Sequence, residues 1–345
     1  MELWGIILLV FLVVFFFYFS ACLIIVSMAN KKLFGVRGKD PVHSVYVHFE
    51  DYPNLERESY ECLFHFKKIR GFIYKKKGLN QDQLSGFIIL SHGMFGSHIQ
   101  YLVDINYLCE AGYQVLCYDQ YGVSLSDGES QVSLYQGIPV LDAVLNDVKK
   151  KGMNHGLPCY LYGHSWGAYC CLGVLKKHPE IQKAVLRSGP VKPSKAALGI
   201  VRLWYPKLYV FLKPVLAICM FFLCGKKSLT PSTSGFSKNG KTEILVVYAK
   251  DDPIVDEKNS QYYFFKSHPS PQVKLLCTEK GLHNSIITEE SFGLFSEKTR
   301  EWKRILTLSD ETKKAREEEF LSSFSRADLV IYNSEVKDGI LNFLS

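Results

Sequence analysis

Residues 3–28 are nearly all apolar and carry no charge, a run long enough to cross a bilayer as one helix. Short, fully apolar runs recur further along, at 87–90, 115–118, 159–162, 184–186 and 244–248, and a last strand at 273–277 is apolar but for Lys274. Stretches with apolar positions at helical spacing separate them. Val140, Leu141, Val144, Leu145 and Val148 mark one such helix over 138–151, and others are predicted over 98–111, 168–177 and 256–267. Continuous apolar strands alternating with helices predict an α/β fold whose mostly parallel central sheet is covered on both faces. Ahead of it, 62–66 and 71–74 predict a pair of strands. Residues 40–57, with Pro41 and Pro53, predict a connector of little regular structure.

The alternation breaks between Pro190 and Lys241. Residues 198–224 are rich in Leu, Trp, Tyr, Phe and Ile but interrupted by Arg202, Lys207 and Lys213-Pro214. A charge and a proline inside the most apolar part speak against a second span and for a pair of amphipathic helices. Residues 285–326 are charged and mostly helical in pattern, and 334–344 predict a short amphipathic helix. The expected organisation is an anchor at 1–30, a connector at 31–60, a core in two parts at 61–191 and 243–345, and an insertion at 192–242. The second part of the core carries a helical insert at 285–326.

Composition narrows the partners. The chain has 345 residues, 47% of them hydrophobic, and a formal net charge of +7. Lysines cluster in threes and pairs at 75–77, 149–151 and 226–227, with no basic stripe interleaved with aromatics, so nucleic acid is not expected. Only Glu2 is charged before the apolar run, while Lys31, Lys32, Arg37 and Lys39 follow it. Residues 3–28 therefore predict an uncleaved membrane anchor with the bulk of the chain on the cytoplasmic side. Ser27-Met28-Ala29 has the small-x-small form of a cleavage site, which is the alternative. The ten cysteines lack the spacing of a disulfide framework or a zinc site and fit a reducing compartment.

The candidate chemistry starts at Gly163-His164-Ser165-Trp166-Gly167, between an apolar strand and a helix. That context suits a nucleophile elbow, where a sharp turn exposes the serine hydroxyl and glycines avoid collision. Serine needs a histidine to take its proton and an acid to orient that histidine. In elbow-bearing sheets the chain order is serine, acid, histidine, on loops after later strands. Asp251 and Asp252 follow the strand at 244–248, and His283 follows the strand at 273–277. The residues alone leave the two aspartates open, one as the acid and the other as a turn or cap residue. Backbone N–H groups of Trp166 and of Met94, in the loop 91–97, are the candidate oxyanion donors. His92 and His164 read as structural. The chemistry requires neither a metal nor an organic cofactor.

Four motifs in order, Ile88-Ile89-Leu90-Ser91-His92-Gly93, Tyr118 to Gly128, Leu161 to Ala168, and Tyr248 to Val255, resemble the α/β-hydrolase superfamily. More narrowly, the chain is similar to the serine aminopeptidase-like and monoglyceride-lipase-like group. The resemblance covers 72–190 and 243–283 and returns at 336–343. It implies Asp252 as the acid, three residues after the small Ala249 and shortly before Val255. Tyr121 and Ser124 depart from the group's usual arginine and glycine, in a structural loop. The resemblance implies hydrolysis of an ester, amide or thioester through an acyl-Ser165 intermediate. The anchor, together with an apolar 198–224 in the place of a lid, points to a lipid-like or acyl-glycerol ester. A peptidase, amidase or thioesterase is the alternative. A non-catalytic anchored protein on the same fold is the alternative from another class.

Overall fold

The computed structural model describes residues 3–35, 37–38, 45–131, 133–237 and 240–345, without the side chains of Trp204, Asp310 and Glu311. The part of the expected connector at 39–44, with Lys39 and Pro41, lies outside the described residues.

Eight strands form one sheet. In chain order they are β1 (Leu55–Phe64), β2 (Lys67–Lys76), β3 (Gly86–Ser91), β4 (Tyr113–Tyr118), β5 (Cys159–His164), β6 (Lys183–Arg187), β7 (Glu243–Ala249) and β8 (Val273–Thr278). Their spatial order is β1-β2-β4-β3-β5-β6-β7-β8. β2 runs antiparallel to β1 and β4, and all pairs from β4 to β8 are parallel. This is an α/β-hydrolase fold with a mixed, mostly parallel sheet.

The helices are α1 (Leu3–Phe34), α2 (Leu102–Glu110), α3 (Gly137–Lys151), α4 (Trp166–Val174), α5 (Pro193–Trp204), α6 (Pro206–Leu212), α7 (Leu216–Cys224), α8 (Gln261–Ser267), α9 (Glu289–Ile305), α10 (Asp310–Ser322) and α11 (Ser334–Leu344). Why the central strands carry continuous apolar runs is visible in β3. Phe87 and Ile89 pack among α3 and α4, while Ile88 and Leu90 pack among α2 and α11. Side chains alternate between faces along a strand, and here both faces are core. The order reverses at β3, whose next strand lies to one side and β5 to the other. Such a switch point opens a crevice at the carboxyl ends of the strands.

Two expectations needed correction. β1 begins at Leu55, inside the expected connector, and pairs with β2 from Leu55↔Lys76 onward. Its start is polar because this is an edge strand. Arg57 lies over the rings of Phe49 and Phe72, so a charged residue covers apolar surface there. Residues 193–224 form three short helices in place of a pair. Lys213-Pro214-Val215 break the apolar stretch, and α6 and α7 are inclined by 82°.

α1 is long and apolar enough to cross a membrane. Its first half is exposed. Its second half buries Cys22 and Val26 against Leu212, Leu216, Cys219 and Met220 of α6 and α7. At its end Phe34 enters the main core, and its carbonyl accepts the Gln131 N–H at 2.7 Å.

Candidate active site

β5 ends at His164, α4 begins at Trp166, and Ser165 alone makes the turn with φ 55° and ψ −115°. A left-handed serine costs about 1–3 kcal/mol and persists only where the surroundings impose it. The Ser165 N–H donates to the Arg187 carbonyl at 2.8 Å, and its carbonyl accepts from Tyr169 N at 3.0 Å. The flanking glycines have no room for a side chain. A Cβ on Gly167 would stand 1.8 Å from the Ser91 carbonyl oxygen, and one on Gly163 would stand 2.6 Å from the Ala168 nitrogen.

The loops after β5, β7 and β8 bring Ser165, Asp252 and His283 together. His283 Nε2 is 2.8 Å from Ser165 Oγ, and His283 Nδ1 is 2.8 Å from Asp252 Oδ2. A carboxylate only accepts, so Nδ1 carries the proton and Nε2 turns its lone pair towards the serine hydroxyl. The Asp252 side chain is fully buried, and its Oδ1 accepts from Ile254 N at 2.8 Å and Val255 N at 2.9 Å. Asp251 turns the other way. Its carboxylate accepts from Leu282 N at 2.9 Å and Gly281 N at 3.3 Å. It therefore holds the loop that presents His283, a loop in which Gly281, Leu282 and Ser285 all have positive φ.

Met94 and Trp166 border the same small cavity, about 90 Å³, as Ser165 and His283. The Trp166 N–H is the first of α4, among those a helix leaves without an internal acceptor. The Trp166 indole N–H donates to the Leu134 carbonyl at 2.6 Å, which fixes the ring. The Met94 loop is braced from beneath. His92 Nδ1–H donates to the Gly93 carbonyl at 2.8 Å, and His92 Nε2 accepts from Gln120 N at 3.0 Å. The rest of the wall is apolar, with Leu134, Pro190, Ile254 and Val255, and with Ala196 and Ile200 from α5.

Several residues that sequence reasoning passed over stand behind the serine. Gly93 N–H donates to the Tyr101 hydroxyl at 2.7 Å, and Tyr101 O–H donates to His164 Nδ1 at 2.6 Å. His164 Nε2–H then donates to the His283 carbonyl at 2.9 Å. Burial, with help from the nearby Arg187 and His283, holds His164 well below its ordinary pKa and keeps it neutral. Arg187, wholly buried at the end of β6, donates to Asp104 Oδ1 at 2.6 Å and to the Asn284 carbonyl. Burial disfavours its charge, yet Asp104 and the surrounding tyrosines hold the guanidinium above its ordinary range. Tyr162 O–H donates to the same Asp104 oxygen at 2.6 Å.

Among the described residues, no three His, Cys, Asp or Glu side chains are grouped to hold a metal ion. Burial pushes the Cys62 thiol up to about 11 and the Cys159 thiol up to about 12, so neither is a ready nucleophile.

Residues 82–233 match the family model described as serine aminopeptidase, S33 (Hydrolase_4). The match takes in Met94, Ser165 and Trp166 and stops before Asp252 and His283. No curated protein sequence matches the chain. Among solved structures, esterase Pf2001 of Pyrococcus furiosus is 22% identical with a TM-score of 0.52, over 79% of this chain and 92% of that one. Est1E of Butyrivibrio proteoclasticus, with ferulic acid bound, is 17% identical with a TM-score of 0.47, over 71% of this chain and 97% of that one. At such identities the likeness to Pf2001 shows the fold alone.

Proposed function

Because the chain has an α/β-hydrolase fold with a serine aminopeptidase S33 segment at its centre, we propose that it is a serine hydrolase cleaving a carboxylic ester of a lipid-like substrate. The observation that carries the proposal is the unbroken hydrogen-bonded line from Ser165 Oγ through His283 to Asp252. His283 Nε2 takes the hydroxyl proton as Oγ attacks the ester carbonyl. The oxyanion is received by the Met94 and Trp166 N–H groups. His283 returns the proton to the departing alcohol, leaving acyl-Ser165. Water, activated by the same histidine, then releases the acid. Asp252 fixes the imidazole and stabilises its positive charge. No metal or organic cofactor takes part.

The lipid-like substrate is supported by what lies in front of the serine. Twenty helical residues cross about 30 Å of hydrocarbon. A span starting at Leu3 therefore ends near Cys22. Phe19 packs on Phe222 with ring centroids 6.0 Å apart, and Tyr18 O–H donates to the Phe211 carbonyl. α6 and α7 thus meet α1 within its last membrane-embedded turns, at the depth where interfacial helices lie. Val210, Phe211, Ile218 and Phe222 are exposed there. α5 to α7 act as a lid resting on the bilayer, with the catalytic part on the cytoplasmic side, as the lysines after the span direct. The cavity of about 90 Å³ is far below the roughly 300–1,000 Å³ of a drug-sized pocket. A long acyl chain enters when α5 withdraws Ala196 and Ile200.

A fluorophosphonate probe applied to the full chain in liposomes labels it, and Ser165→Ala abolishes labelling; persistent labelling would overturn the nucleophile. In a series of glyceryl esters, activity rises from acetyl to medium or long chains. A strict preference for acetyl esters or aminoacyl amides would overturn the lipid reading and leave the serine hydrolase.

A further inference from the structure

A second cavity, about 500 Å³, shares no lining residue with the cavity at Ser165. Asn284, next to His283, is part of its wall. One side is built by α9, where residues 292, 295, 296, 299, 300 and 303 recur at helical spacing and share a face. The chemistry of that face changes along the helix. Phe292 and Phe295 come first, Ser296 and Thr299 follow, and Arg300 and Lys303 close it. Ile99, Val103, Ile286 and Ile287 supply an apolar facing wall.

The charges separate cleanly. Asp104 reaches the cavity, but its carboxylate is taken up by Arg187 and Tyr162. Lys298, off the lining face, pairs with Glu301. Arg300 and Lys303, both exposed at the rim, make neither a hydrogen bond nor an ion pair among the described residues. Two uncommitted cations and two hydroxyls thus stand beyond an apolar trough. From Phe292 to Lys303 the helix makes three turns, roughly 16 Å. A volume of this size holds a single drug-sized molecule.

We infer that this cavity is a binding site for a single-chain amphiphile with one carboxylate, a fatty acid, its chain on Phe292, Phe295, Val103 and Ile286 and its head at Arg300 and Lys303. A neutral amphiphile gains nothing from the two cations. The inference stands on the cavity's own chemistry, whatever Ser165 does.

The experiment is equilibrium binding of radiolabelled laurate to the full chain in nanodiscs of zwitterionic lipid, with empty nanodiscs subtracted. Saturable one-to-one binding is expected, with dodecanol binding at least roughly tenfold more weakly, or about 1.4 kcal/mol. Arg300→Gln with Lys303→Gln weakens laurate roughly tenfold, and Val103→Trp, which fills the trough, removes it. Ala196→Trp, which fills the Ser165 cavity, leaves it unchanged. The charge variants lie on an exposed helix face and do not threaten folding. No saturable uptake, equal binding of dodecanol, indifference to the Arg300 and Lys303 substitutions, or loss with Ala196→Trp would each overturn the inference.

Discussion

Behind Ser165 the protein is wired; in front of it the protein is greased. The rear is a chain of donors and acceptors from Gly93 through Tyr101 and His164 to the His283 carbonyl, with Arg187 and Asp104 locking Asn284 beside it. Tyr101, His164, Arg187 and Asp104 are each fixed by a partner far away in sequence. The front is the side chains of Leu134, Pro190, Ala196, Ile200, Ile254 and Val255, which are apolar and have no donor or acceptor to set a distance. Hydrogen bonds define position to a few tenths of an ångström, whereas apolar packing defines volume and adapts. The rear therefore sets where the reacting atoms stand, and the front sets what fits against them. Damage behind the serine falls on kcat or on stability, and damage in front falls on KM and on selectivity.

The sharpest test of the wired side is Asp252→Asn, which keeps the shape and reverses a hydrogen bond. A fall in kcat of about 10³–10⁴-fold on a short aryl ester is expected, with KM nearly unchanged. Asp251→Asn, which only loosens the His283 loop, costs roughly tenfold. Were Asp251→Asn the worse of the two, the acid would be misassigned. Next comes Arg187→Met, which leaves the buried Asp104 carboxylate without its counter-charge. Urea unfolding should show a loss of about 3–5 kcal/mol, most of it recovered when Asp104→Leu is added. A loss below about 1 kcal/mol would show that the pair does not hold the rear together.

The greased side is tested by Ile200→Phe. The larger ring fills the cavity, so KM for a medium-chain ester rises roughly tenfold while an acetyl ester is turned over within about twofold of normal. A drop in kcat for both esters alike would erase the contrast between the two sides. The smallest effect concerns His164. Its folded pKa lies below its ordinary value of 6.5, so the unfolded chain binds the extra proton first. The contribution to stability is complete above pH 6.5 and is lost as the pH falls, by at most about 1.4 kcal/mol per pH unit. His164→Gln removes that proton. The stability difference between pH 7.5 and 5.5 should shrink by roughly 1 kcal/mol in the variant; an unchanged difference would mean His164 is not held neutral.

The sheet was legible because parallel strands buried on both faces are apolar at every position, as at 87–90 and 115–118. The start of β1 was not, since Glu56, Arg57, Glu58 and Ser59 on an edge strand carry no such run. The bend between α6 and α7 was announced by Lys213-Pro214, but the extra helix was not, because α7 is apolar on every side. Ser165 and His283 were named from chain order and loop position and Asp252 from the family resemblance, and the three lie in one hydrogen-bonded line. Asp251 and Asp252 could not be separated by the residues alone, because neighbours in a turn point apart and only the fold decides which points inward. The rear wiring was illegible for a plainer reason. Tyr101 meets His164, and Arg187 meets Asp104, only once β5 and β6 stand beside the loop after β3 and α2.

The seam between α1 and the helices α6 and α7 also decides how the protein is to be handled in the laboratory. A chain shortened to begin at Gly35, the natural cut for removing a hydrophobic leader, uncovers Leu212, Leu216 and Met220 and takes Phe34 out of the core. Such a preparation is expected to self-associate and to elute as large particles on size exclusion. One that begins at Tyr18 keeps the seam intact, sheds the exposed half of α1, and should run as a well-behaved particle in mild detergent.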